Sequence, residues 1–253
     1  MRHHLIDVLD PDEPLTLASY LDLAGAALSE VWARGRPAVV VGGSGQYVWA
    51  LLEGWSVPRV APDPARRAAL EAFAREQGAA ALHARLAAVD PDAAARIDAS
   101  NVRRVVRALE VVESTGRSLA ACQLRQPPPA RTLVLGLRCA RDAVHARIDA
   151  RVEAMFAAGL VDEVAGLRAA GYADAPPLRS AIGYKEVGAY LDGALSLAEA
   201  VERTKTESHR LVRKQANWFR ETDPRIHWIE AGPDAPSAGL AVARAWLSGE
   251  DEG

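Results

Sequence analysis

Two proline-rich joints constrain this chain more than any other feature: Pro58, Pro62 and Pro64 on one side, and Gln126-Pro127-Pro128-Pro129 on the other. Proline fixes φ and lacks a backbone donor, so neither joint can lie inside a helix or a central strand. Between them, from Asp63 to about Leu119, the pattern is helical and no strand can be read. Outside them, strand and helix patterns alternate. His3 to Val8 reads as a short buried strand, Leu15 to Arg34 as a helix ended by Gly35, and Pro37-Ala38-Val39-Val40-Val41 as a strand of the kind covered on both faces. A helix over 46–52 follows. Beyond the second joint come a strand at 132–137, helices near 141–170, 183–192 and 196–220, a strand at 226–229 and a helix at 235–248. A βαβ start and a strandless middle predict an α/β parallel sheet built from 1–60 and 131–253, interrupted by an all-helical insertion over 61–130.

Composition excludes several classes. With 253 residues, 49% apolar and 25% charged, the chain is globular rather than disordered. Cys122 and Cys139 are too few for a disulfide framework or a four-cysteine zinc site. No apolar run of about 18 residues and no basic-then-apolar start are present, so a cytoplasmic protein is expected. The net charge of −3 argues neither for nor against nucleic acid. The cations are distributed unevenly, however: all three lysines, Lys185, Lys205 and Lys214, lie in the last third. Residues 1–184 therefore hold no phosphate loop of the G-x-x-x-x-G-K-S/T type, whose lysine reaches the β and γ phosphates.

Four segments carry candidate chemistry. Gly42-Gly43-Ser44-Gly45 joins a strand to a helix; Val48 stands where a dinucleotide fingerprint has its third glycine, which leaves a tight turn or a ligand loop. Asn101-Val102-Arg103-Arg104-Val105-Val106-Arg107 predicts a capped helix with Val102, Val105, Val106 and Leu109 inward and Arg103, Arg107 and Glu110 on another face. Arginines at a helix start oppose its dipole, which suggests an anionic partner or a solvated face paired through Glu110. Arg203 to Arg220 sets six cations against Glu207. On that helix Leu211, Val212 and Phe219 are expected inward, while Trp218 with Gln215 and Asn217 supplies stacking and amide groups suited to single-stranded RNA. Finally, Ile182-Gly183-Tyr184-Lys185 opens a helix whose amino end suits a diphosphate. No histidine, cysteine or acidic spacing resembles a metal site.

In this order, HHLIDVLDPDE at 3–13, VVGGSGQY at 40–47, ALLEG at 50–54, VDPDAAARI at 89–97, RRVVRALEV at 103–111, IGYKEV at 182–187 and HRLVRKQANWFR at 209–220 resemble the tRNA dimethylallyltransferases (tRNA isopentenyltransferases). The resemblance covers nearly the whole chain. It implies a P-loop NTPase-like core, Mg2+, and transfer of dimethylallyl from dimethylallyl diphosphate to the N6 amine of adenosine 37, with the helical insertion gripping the anticodon stem-loop. Position by position it implies tRNA contacts at Ser44, Arg67, Arg103, Arg104, Arg107, Arg213, Lys214, Gln215, Trp218 and Arg220. It implies a substrate-contacting turn at Ser180, Gly183, Tyr184 and Lys185. Arg103 stands where the family carries glutamine, Ser180 where it often has arginine or glutamine, and Arg213-Lys214 inverts the family's lysine-arginine order.

Family members place a phosphate loop and a general-base aspartate ahead of the HHLID segment, which here starts at residue 3. The expectation is thus an incomplete amino terminus, with catalytic residues and Mg2+ ligands upstream of Met1, and a monomeric chain inactive by itself. A non-catalytic RNA-binding remnant and an adenylate isopentenyltransferase are the alternatives; the arginines of the insertion speak against the latter.

Overall fold

The computed structural model describes residues 2–60, 63–122 and 124–249; Pro62 of the first joint lies outside them. Two compact units emerge, one of Met1–Leu15, Val40–Gln46 and Ala130–Gly253, the other of Thr16–Val39 and Tyr47–Pro129.

The second unit is helical. Its elements are α1 (Leu17–Ala33), most of α2 (Gly45–Leu52), α3 (Pro64–Gln77), α4 (Ala79–Val89), α5 (Pro91–Arg96), α6 (Val102–Thr115) and α7 (Leu119–Cys122). Caps set the boundaries. Thr16 and Ser19 form a capping box before α1, Asp63 accepts from Arg66 N with Pro64 in the first turn of α3, and Asn101 accepts from Arg104 N. The buried Asp90 accepts from Ala93 N at 3.0 Å and from Leu119 N at 2.7 Å, tying α5 to α7. Leu70, Leu82, Leu86, Val105, Val106 and Leu109 form one core, each large side chain contributing roughly 1.5–3 kcal/mol by leaving water. Gly54 closes the helical stretch at its root. Gln126 N donates to Gly54 O at 2.8 Å, Ser56 N to Leu124 O at 2.7 Å, and Trp55 bridges Arg125. Gly54 has φ +60°, and a Cβ there would stand 1.7 Å from Gln126 O. These bonds bring the two ends of the helical stretch side by side.

In the first unit, β1 (Val134–Arg138) pairs in parallel with β2 (Ile226–Glu230), Val134 opposite Ile226 and Arg138 opposite Glu230. The unit also holds α8 (Arg141–Ala157), α9 (Leu160–Leu167), a wide turn over Arg168–Tyr172, α10 (Pro176–Ser180), α11 (Tyr184–Leu191) and α12 (Leu197–Trp218), which pack on one another, and α13 (Ala235–Ser248), which packs against β2. The helix expected over 141–170 is broken at Gly159, which has φ +103°.

The early strands are not formed. Residues 3–8 bend through positive φ at Leu5 and Asp7, and Ile6 is 68% exposed. Residues 37–41 adopt no regular structure, with Val39 and Val41 exposed. An apolar run becomes a strand only where a neighbour supplies ladder partners; among the described residues none lies alongside. The sheet consists of β1 and β2 among those residues.

One ion cluster differs from expectation. Glu110, expected on the polar face of α6, is buried at 2% exposure. Arg67 clamps it with two bonds of 2.6 and 2.9 Å, Asp63 N reaches it at 3.5 Å, and Arg107 at 3.4 Å. Burial pushes the Glu110 carboxyl up, but Arg67, Asp63 N–H and Arg107 together hold it below its ordinary value. A depressed folded pKa means that the cluster's stabilisation is complete above the ordinary carboxylate range and is lost as pH falls through the folded value. Glu110→Gln is expected to lower unfolding stability by about 2–3 kcal/mol at pH 7. In urea titrations the gap between variant and parent closes below about pH 4; a gap unchanged down to pH 3 would contradict the assignment.

Candidate nucleic-acid interface

α12 starts from a capping box in which Ser196 accepts from Glu199 N at 3.3 Å while Glu199 accepts from Ser196 N at 2.7 Å. Ala200 and Thr204 form its buried face. His209 faces α8: its ring stacks on His145 with centroids 4.1 Å apart, and its Nε2 lies 2.8 Å from Asp149 Oδ1. Leu211, expected inward, is 44% exposed. The helix turns Thr204 and His209 toward its neighbours, so Leu211 falls outside that strip.

The cations of α12 fall into two groups. Lys205 lies 2.8 Å from both Glu153 and Glu202, which raise its ammonium pKa well above the usual lysine value. Arg210 pairs with Glu207, and Lys185 stands 3.7 Å from the same carboxylate. Desolvation pushes Glu207 up, yet Lys185, Arg210 and Lys214 hold its carboxyl below the ordinary range. Lys205 and Lys185 thereby join α12 to α8 and α11, Arg210 pairs along the helix itself, and Lys214 acts on Glu207 from beyond ion-pair distance. Arg213, Lys214 and Arg220 are exposed and make no ion pair among the described residues. They cluster at the carboxyl end of the helix, where its dipole favours positive charge, so a surplus can be held there with little penalty.

The glycine loop meets this end. Gln215 Nε2 donates to Gly43 O at 3.1 Å. A Cβ on Gly43 would lie 2.2 Å from Gln215 Nε2, and one on Gly45 would lie 2.2 Å from Trp218 Cγ. Neither glycine has positive φ; both are needed because the α12 side chains approach so closely. Ser44 stands between these two contacts and is exposed. Thus Ser44, Gln215 and Trp218, read separately from the sequence, belong to one place.

The Gly183 turn has a different use. Gly183, with φ +94°, caps α11, and its N–H donates to the buried Glu186 carboxylate at 2.8 Å. That bond takes up one of the donors at the amino end of α11. Lys185 lies 3.3 Å from that carboxylate, and Ser180 Oγ donates to Pro176 O. Tyr184 donates to Glu163, whose hydrogen bond pushes the phenol up to about 12. A glutamate three residues after the helix start supplies the reach-back half of a capping box, the local signal for this bond.

In the helical unit, Arg103 and Arg104 are exposed on the first turn of α6 and make no ion pair among the described residues. Arg107 turns inward and donates to the carbonyls of Pro58 at 3.2 Å and Val60 at 3.3 Å. With Arg67 on Glu110, two of the four arginines expected to contact RNA here are structural ties.

A model of the IPP transferase family matches residues 1–222. The chain belongs to the IPP transferase family. A tRNA dimethylallyltransferase of Roseiflexus sp. (strain RS-1) is 49% identical over 246 residues, covering 97% of this chain and 80% of the relative. That of Chloroflexus aurantiacus (strain J-10-fl) is 50% identical over 235 residues, covering 93% and 78%. Among solved structures, a full-length tRNA isopentenylpyrophosphate transferase from Bacillus halodurans matches with a TM-score of 0.65 and 36% identity, over 98% of this chain and 77% of that one. A eukaryotic dimethylallyltransferase acting on tRNA gives 0.80 at 22% identity, over 98% and 66%, which shows a shared fold. The chain therefore has the mixed α/β fold of this family, as the sequence motifs imply.

Replacing Arg213, Lys214 and Arg220 together by alanine is expected to weaken binding of a stem-loop RNA. The slope of log affinity against log salt is expected to flatten by about 0.7 for each phosphate that is no longer neutralised. Lys205→Ala is expected to lower Tm and leave RNA affinity within about twofold, since that cation is already committed. Equal affinity losses from the two variants, measured by fluorescence anisotropy, would contradict this division.

Proposed function

We propose that this chain acts on tRNA as a dimethylallyltransferase of the IPP transferase family, joining the N6 amine of adenosine 37 to the dimethylallyl group as its bond to diphosphate breaks. The observation that carries the reading is the cationic end of α12, with Arg213, Lys214 and Arg220 beside an exposed Trp218 and the Ser44 loop. Phosphates need cations that carboxylates have not already paired with. Arg103 and Arg104, also exposed, supply a second cationic surface on the helical unit, which we assign to the anticodon stem-loop. A free mononucleotide would not need it, so tRNA is favoured over adenylate as acceptor.

The chain's own residues bind and orient. Arg213, Lys214, Arg220, Arg103 and Arg104 contact phosphates, while Ser44 offers a hydroxyl from the turn that leads into α2. Arg67 and Arg107 act from beneath, fixing α3 and α6 through Glu110. Ser180, Gly183, Tyr184 and Lys185 shape the start of α11. The family resemblance implies Mg2+, but among the described residues no group of three or more His, Cys, Asp or Glu side chains is arranged to hold a metal ion. No step is routed through a metal. No helix among the described residues is long and apolar enough to cross a membrane; with tRNA as substrate, we take the protein to work as a cytoplasmic monomer.

The test supplies labelled dimethylallyl diphosphate with tRNA or with AMP. The reading expects tRNA binding that weakens steeply with salt, N6-prenylated adenosine at position 37, and no competition from AMP. Tight tRNA binding without any transfer would support a non-catalytic RNA-binding role, and transfer to AMP would overturn the choice of acceptor.

A further inference from the structure

Gln215 and Trp218 carry amide and aromatic groups that suit RNA, yet the structure uses both internally. The Gln215 amide is donated to Gly43 O at 3.1 Å, and the first atoms of the Trp218 side chain fill the space a Cβ would take at Gly45. The residues on either side of Ser44 are therefore both held by α12, one by a hydrogen bond and one by steric contact. Flanking these two α12 residues lie three cations with no ion-pair partner among the described residues, Arg213, Lys214 and Arg220.

We infer that Gln215 and Trp218 are positioning residues that couple the loop to the helix: a polyanion engaged by Arg213, Lys214 and Arg220 fixes the end of α12, and through Gln215 and Trp218 it fixes Ser44. The inference rests on the tRNA reading for the identity of the polyanion, but the clasp itself does not. Two kinds of constraint enter differently. The Gly43 contact is with the far end of a flexible side chain, so a methyl group there displaces Gln215 and breaks one hydrogen bond. The Gly45 contact is with Cβ and Cγ of Trp218, and Cβ cannot move without the helix.

The full-length chain tests this in two ways. Gly43→Ala and Gln215→Ala are each expected to weaken binding of a tRNA anticodon stem-loop by about three- to tenfold, the equivalent of one hydrogen bond. The double variant is expected to bind no worse than either single one, because both remove the same hydrogen bond; multiplied losses would overturn the coupling. Hydrogen exchange of the peptide spanning residues 42–47 separates the clasp from the tRNA reading. Without RNA, Gln215→Ala and Trp218→Ala are expected to speed exchange there and leave β1 and β2 unchanged; unaltered loop exchange would overturn the clasp. With RNA, the loop slows in the parent chain and not in Gln215→Ala, although that variant still binds through its cations. Equal slowing in both would overturn transmission. Failure of the parent chain to bind any tRNA, with the RNA-free exchange as expected, would remove the tRNA reading and leave the clasp standing.

Discussion

A single amide of Gln215, 3.1 Å from the Gly43 carbonyl, joins a loop and a helix that are 172 positions apart. The approach is possible because two glycines present bare backbone to α12; at either one a Cβ would lie 2.2 Å from a side-chain atom. Polar contact and steric fit reinforce one another, since the hydrogen bond sets distance and the Trp218 side chain sets orientation. With the loop held, Ser44 and the cations at the end of α12 share one place, and the functional reading depends on that coincidence.

Charge is handled in the same manner throughout. Many cations of this chain are committed to carboxylates, and several of those pairs join elements: Arg67 on Glu110 ties α3 to α6, Lys205 on Glu153 ties α12 to α8, and Lys185 on Glu207 ties α11 to α12, while Arg107–Glu110 and Arg210–Glu207 lie within one helix. Exposed pairs contribute little to stability individually, but Glu110 is buried, and removing its partners would strand a charge in the interior. The first turn of α6 and the last turns of α12 carry cations outside this pairing. An overall charge of −3 conceals both surfaces, because net charge sums over pairs that are already neutralised.

Much of this organisation can be read from the sequence where the determining interactions are local. The cap at Asn101 and the inward stripe Val105, Val106 and Leu109 depend on residues within a turn or two of each other, and they stand as expected. The strands expected at 3–8 and 37–41 do not form, because a strand is defined by its neighbour and an apolar run carries no information about whether one is present. Long-range polar ties are equally hidden. Nothing near Glu110 in the sequence shows that Arg67, 43 positions earlier, allows it to be buried. The Gly183 turn is the instructive case: its glycine and lysine point to an anion site, and the structure has the Glu186 carboxylate three residues on bonded to the Gly183 N–H, one of the donors such a site would offer. Aromatic and amide groups beside the cations of α12 point to base contacts, and the structure has Gln215 and Trp218 engaged with the loop instead.

The central claim, that anion binding belongs to the end of α12 and not to the amino end of α11, is tested most directly by ultraviolet cross-linking of the chain to a tRNA anticodon stem-loop, with adducts mapped by mass spectrometry. The account predicts adducts within residues 213–220 and at Ser44, together with residues 103–104, and none within residues 180–186. Adducts concentrated at Gly183 to Lys185, with residues 213–220 unmodified, would contradict it.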